Sequence, residues 1–143
     1  MKFKFLTVVL TIGLCLILTA SLEAQSLSSR FDVPFEFVVN GKTLPAGAYS
    51  VVCSGGGNSL IAIKSTNGGE AVYTLTHNGA TTANNDQAKL VFHRYAGQYF
   101  LSAFARAESG VAVLQLPVTA SEREASKNAA LHAPDTVTLV AMR

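Results

Sequence analysis

Phe31-Asp32-Val33-Pro34-Phe35-Glu36-Phe37-Val38-Val39-Asn40-Gly41 is the stretch that decides the fold of this chain. Phe31, Val33, Phe35, Phe37 and Val39 alternate with Asp32, Pro34, Glu36 and Val38. Successive side chains of extended backbone leave opposite faces, so this rhythm predicts a strand buried on one face only. Pro34 has no N–H to give to a ladder, so the strand is expected to lie at a sheet edge or to pair on one side only at that point. Asn40-Gly41 supplies two residues that accept positive φ, the mark of a two-residue type I′ hairpin. Leu44-Pro45-Ala46-Gly47 makes a second turn, with Pro45 presetting φ at its first central position.

The same two-residue rhythm recurs downstream, at residues 48–53, 60–65, 70–77, 89–95, 98–106, 111–116 and 135–142. Residues 54–58 (Ser-Gly-Gly-Gly-Asn) and the polar, Thr/Asn-rich stretch 78–86 are expected to be mobile loops. Ser121-Glu122-Arg123-Glu124 has the spacing of a capping box and predicts a short helix running to about Ala130. About eight short strands with one helix near the C-terminus predict an all-β domain, a small barrel or a sandwich. The connections are too short for repeated βαβ units, and no internal repeat is present.

Ahead of this pattern lies a segment of another kind. Lys2 and Lys4 precede an uncharged apolar run over residues 5–20, and Ser21-Leu22-Glu23-Ala24 ends on a small residue. That order is the order of an export signal, expected at residues 1–24, and the run is short for a membrane span of roughly 20 residues. Removing 24 of the 143 residues leaves 119, residues 25–143, which suits one exported domain with one core. The expected location is the periplasm or the cell exterior, with no transmembrane segment left after signal removal.

Charge excludes more than it suggests. Without Lys2, Lys4 and Glu23 the domain keeps nine Lys and Arg against eight Asp and Glu. So even a balance gives no electrostatic reason to expect nucleic acid as a partner. Cys15 lies in the apolar run, so Cys53 is the single thiol of the domain and no internal disulfide can form. Between Val51-Val52 and the following serine it reads as a small buried hydrophobe.

One hairpin sets the functional question. A two-residue loop at Ala96-Gly97 would place Tyr95 opposite Gln98, Arg94 opposite Tyr99, His93 opposite Phe100 and Phe92 opposite Leu101. Leu90, Phe92, Leu101, Ala103 and Ala105 then share a core face. The other face gathers Val91, His93, Tyr95, Gln98, Phe100, Ser102 and Phe104, too aromatic for plain solvent and too polar for an ordinary interior. Either the helix or a loop covers it, or it meets a partner or ligand, or a longer turn re-sorts the register. As a binding face it would use His93, Tyr95, Gln98, Phe100 and Phe104.

Reaction chemistry is harder to find in the sequence. His77, His93 and His132 show no spacing suited to a metal, and no G-x-S-x-G nucleophile elbow is present. Gly55-Gly56-Gly57 runs into a strand rather than a helix N-terminus, so it does not read as a phosphate loop. Glu122 and Glu124 sit two apart on a helix and cannot act as a carboxylate pair, which leaves them as favourable charge at its N-terminus. No cofactor or metal is expected.

Three stretches together carry a resemblance: Phe31-Asp-Val-Pro-Phe-Glu-Phe with Gly41-Lys-Thr-Leu-Pro-Ala-Gly-Ala-Tyr49, Leu90-Val-Phe-His-Arg-Tyr95 with Gln98-Tyr-Phe-Leu101, and the Ser-Glu-Arg-Glu helix start at Ser121. They resemble small uncharacterised exported β-rich proteins of environmental bacteria. The likeness spans most of residues 25–143 and implies secretion and a compact β-fold, with no activity attached. That group often places a Trp near the position of Phe104 or Ala105, where this chain has none.

The sequence therefore points to an exported non-catalytic β-domain acting through contacts with a protein or envelope partner. The alternative is a carrier of a small apolar ligand, with His93, Tyr95, Phe100 and Phe104 lining the mouth or lumen of a lipocalin-like barrel. An enzyme comes third.

Overall fold

The computed structural model describes residues 28–54, 60–81, 86–107, 112–129 and 135–142. The expected signal at residues 1–24 and the glycine loop at 55–57 lie outside them.

The Phe31–Val39 alternation is split in two. β1 (Ser28–Val33) and β2 (Phe37–Val39) flank an irregular step at Pro34, Phe35 and Glu36. β1 belongs to one sheet and β2 to the other. The rhythm survives the crossing because Phe31, Val33, Phe37 and Val39 are all buried in the core that both sheets share, with Phe35 packed against it. Pro34 does mark an edge, since β1 is the outermost strand of its sheet.

β3 (Lys42–Leu44) returns from β2 with Phe37 opposite Leu44 and Val39 opposite Lys42. Between them Asn40 has φ 49° and Gly41 φ 78°, the left-handed pair that a type I′ turn requires. β4 (Gly47–Ser54), β5 (Leu60–Ser65) and β6 (Ala71–Leu75) complete the first sheet, a four-stranded antiparallel array ordered β1-β4-β5-β6. The Tyr49 hydroxyl donates to the Pro45 carbonyl at 2.6 Å and pins the turn that enters β4. This satisfies the polar tip of a buried ring.

The second sheet is built from β7 (His77–Thr81), β8 (Lys89–Tyr95), β9 (Gln98–Ala105), β10 (Ala112–Gln115) and β11 (Asp135–Val140) in the order β11-β8-β9-β10-β7. The β2–β3 hairpin joins it through a parallel pairing of β2 with the start of β9. Only Thr76 separates β6 from β7, so the chain passes from one sheet to the other there. Residues 78–81, expected within a loop, instead belong to β7, where Asn78 and Thr81 pair with β10. On the opposite side Met142 N–H donates to the Arg30 carbonyl at 2.9 Å, tying the chain after β11 to the β1 edge.

The molecule is thus an all-β sandwich of two sheets not closed into a barrel, with one short helix near the C-terminus, α1 (Ala120–Asn128). Among the described residues eleven strands stand in place of the expected eight, because the first strand divides and β3 and β7 are added. Aromatic side chains fill the space between the sheets edge to face. Phe37 meets Tyr49 at 5.1 Å and Phe92 at 5.4 Å, and Phe31 meets Phe104 at 6.2 Å. Such pairs contribute about 0.5–1.5 kcal/mol each beyond the area they bury.

Candidate functional site

The β8–β9 hairpin folds with the register its loop dictates, but only for part of its length. Tyr95 lies opposite Gln98, Arg94 opposite Tyr99, His93 opposite Phe100 and Phe92 opposite Leu101. The register then slips, and Val91 faces Ala103 while Leu90 faces Phe104. Ser102 is the extra residue of a β-bulge. Bulges re-aim the side chains beyond them.

That slip decides the fate of the expected binding face. Phe104 does not share it: the ring lies in the inter-sheet core against Phe31, on the side of Leu90 and Phe92. Ala103, opposite Val91, has moved the other way, off the expected core face. His93, Tyr95, Gln98 and Phe100 do share the outer face of the seven-stranded sheet. Phe100 is buried there, Tyr95 is half-buried with its ring edge-on to His93 at 6.2 Å and to Phe100 at 5.9 Å, and Gln98 is exposed beside the turn. Gln98 also lines a half-open cleft of about 240 Å³ with Phe35, Thr43 and Tyr99. The carrier expectation set His93, Tyr95, Phe100 and Phe104 around the mouth or lumen of a barrel; the two sheets are not closed into a barrel, and Phe104 faces the opposite side from His93.

The side chain that reaches this outer face from elsewhere is Glu122, on the first turn of α1. The helix starts at Thr119, whose Oγ1 accepts from the Glu122 N–H at 3.3 Å, so the cap is Thr119 rather than Ser121. Glu122 then occupies the third helical position, where a capping-box glutamate would fold back onto the cap N–H. Here its Oε1 instead meets His93 Nδ1 at 3.2 Å. Glu122 is 5 % exposed and is the one buried residue of α1.

The imidazole is held at both nitrogens. Ser102 Oγ stands 3.2 Å from His93 Nε2, on the side of the ring away from Glu122. A carboxylate only accepts, so Glu122 fixes the tautomer: Nδ1–H donates to Oε1, and Nε2 is left to accept the Ser102 hydroxyl proton. The bulge residue is itself fixed, since its carbonyl accepts the Leu116 N–H at 2.8 Å. The Tyr95 phenol is pushed above its ordinary value, first by burial and then by the negative charge of Glu122. Hydroxyl, imidazole and carboxylate thus come from β9, β8 and α1 and form one hydrogen-bonded line.

Two members of that line escape a reading of the sequence. Ser102 falls on the right face but carries no motif, and Glu122 looks like helix N-terminal charge. The available signal is Thr119-Ala120-Ser121-Glu122, a cap spacing one residue pair upstream of the Ser121–Glu124 spacing. Among the described residues no three His, Cys, Asp or Glu side chains gather around a possible metal.

The outer face of the four-stranded sheet is different in kind. Tyr73 and Leu75 of β6 are 55 % and 67 % exposed, and Leu60, opposite Leu75, is 37 % exposed. Ala62 and the half-buried Val52 continue the strip inward across β5 and β4. Comparison of the chain with protein families, with curated proteins and with solved structures gives no match.

Proposed function

We propose that this chain is an exported β-sandwich module that acts in the periplasm or outside the cell by contact with a protein or envelope partner, using the outer face of its four-stranded sheet. The observation that carries the reading is the exposed Leu60–Leu75 cross-strand pair with Tyr73 beside it. Contiguous exposed apolar side chains of this kind lose water when a partner covers them, which makes them contact surfaces. Tyr73 and Leu75 lie on β6, an outermost strand of its sheet, and Leu60 on its neighbour β5, and edges are where added chains pair. Export is supported by the Lys2-Lys4 start and the uncharged run at residues 5–20. Among the described residues no helix is long and apolar enough to cross a membrane.

Two measurements test this. Fractionation of cells producing the full chain should recover a form shortened by the first 24 residues outside the cytoplasm, and an uncut cytosolic chain overturns the export half. A photo-crosslinking side chain placed at Tyr73 should give a defined adduct in those cells. One placed at Thr138 on β11 should not. Equal crosslinking at both positions overturns the choice of face.

A further inference from the structure

We propose that Ser102 is an activated nucleophile, with His93 as its base and Glu122 as the residue that positions and charge-balances that base, and that it accepts acyl groups from small carboxylic esters. The site lies on the outer face of the seven-stranded sheet, away from the contact strip on the other sheet, so it stands or falls independently of that strip.

The argument is geometric. A serine hydroxyl is a weak nucleophile until a base takes its proton as the new bond forms, and the base must be held in the tautomer that leaves a lone pair facing the hydroxyl. Ser102 Oγ to His93 Nε2 and His93 Nδ1 to Glu122 Oε1 are both 3.2 Å, within the reach this chemistry needs in an unliganded site. The three groups come from three separate elements, brought together by the hairpin register, the bulge and the helix start. A clamp that merely fastened α1 to the sheet would need only the His93–Glu122 pair. Ser102 adds a hydroxyl aimed at the far nitrogen. Glu122 is buried, where its charge acts on the imidazolium through little water. His93 keeps 31 % of its side chain exposed and Ser102 is half-buried, so a small ester can approach.

The step balances within the site and the substrate. Ser102 Oγ bonds to the ester carbonyl carbon while its proton passes to His93 Nε2 and the carbonyl electron pair moves onto oxygen. Collapse breaks the bond to the alkoxide, which leaves with the proton from Nε2. Water then repeats the sequence, releasing the acid and restoring the hydroxyl. Nothing is oxidised or reduced.

The test uses p-nitrophenyl acetate on the purified chain, with acetylation located by peptide mass spectrometry. Acetyl is expected on Ser102, together with release of p-nitrophenolate. Ser102→Ala should abolish that adduct, and His93→Gln should slow it about a hundredfold, the usual scale of a general base. Glu122→Gln should also slow it with the circular dichroism spectrum unchanged, and Glu122→Asp should restore part of the rate. Should the variants fail to fold, a fluorophosphonate probe on the native chain decides: an adduct at Ser102 that disappears in urea supports the proposal. Acetylation only at lysine or elsewhere, no adduct at Ser102, or an undiminished rate in folded His93→Gln overturns it.

Discussion

His93 Nδ1 and Glu122 Oε1 stand 3.2 Å apart across 29 residues of chain, and Glu122 is the one side chain of α1 that is buried. The pair is therefore the polar attachment of the helix to the sheet, whatever else it does. Glu122→Ala leaves the Nδ1–H of a partly covered imidazole without its acceptor, a cost of about 1–3 kcal/mol. Thr119→Ala removes the cap, about 1 kcal/mol, together with an exposed hydroxyl contact to Ser121. Urea unfolding should rank the two variants in that order. The double variant should lose less than the sum, since both act on the same helical turn. Amide exchange over residues 120–128 should speed most in Glu122→Ala.

Much of this architecture is legible in the sequence because it depends on local rules. The alternation in 31–39, the Asn40-Gly41 turn, the strand at Leu60–Ser65 and the two-residue loop at Ala96-Gly97 each follow from backbone sterics and burial. What escapes is set by tertiary packing. Nothing local announces that the chain changes sheets at Pro34, since both halves bury the same parity of residues. The bulge at Ser102 has no glycine to mark it, yet it moves Phe104 to the core and Ala103 away from it. Glu122 looks like a solvated helix charge until the fold sets a histidine opposite it.

Ala96 offers a test of the hairpin alone. Its φ is 48° and that of Gly97 is 89°, the type I′ pair, but alanine pays for the left-handed region where its Cβ crowds the following carbonyl oxygen. That strain is about 1–2 kcal/mol for an ordinary L-residue, and asparagine or glycine relieves it. Ala96→Asn should raise the melting temperature by a few degrees and leave acetylation at Ser102 unaltered. A lowered melting temperature would contradict the turn geometry.

Phe92 and Gln98 belong to one hairpin and should respond in opposite ways. Phe92 is fully buried and meets Phe35 at 5.3 Å and Phe37 at 5.4 Å, both edge to face, so it packs the irregular step after β1 and the start of β2 against β8. Phe92→Ala should cost about 3–5 kcal/mol, a large part of the stability of a domain this size. Gln98→Ala, at an exposed position, should stay within about 0.5 kcal/mol. Denaturant midpoints at equal slope measure both.

Alkaline pH should reveal two weak acids of β4, the buried Tyr49 and Cys53, which is half-buried rather than fully buried as its sequence context suggests. Burial pushes the Cys53 thiol above its ordinary value, only partly offset by the Arg106 charge, and burial with the nearby Glu70 carboxylate raises the Tyr49 phenol. In both the folded state holds its proton more tightly than the unfolded state. Their contribution to stability is therefore complete below the unfolded values and is lost as pH rises through the folded ones. Stability should hold through neutral pH and fall above about pH 9, where a free thiol ionises, and again as the phenol titrates. Cys53→Ala should blunt the first part of that fall, and Tyr49→Phe the second, although Tyr49→Phe also removes the bond to the Pro45 carbonyl and lowers stability at every pH. Iodoacetamide at pH 8 should alkylate Cys53 more slowly in the folded chain than in urea, because the thiolate is the reacting form. Equal rates in the two states would contradict the burial of this thiol.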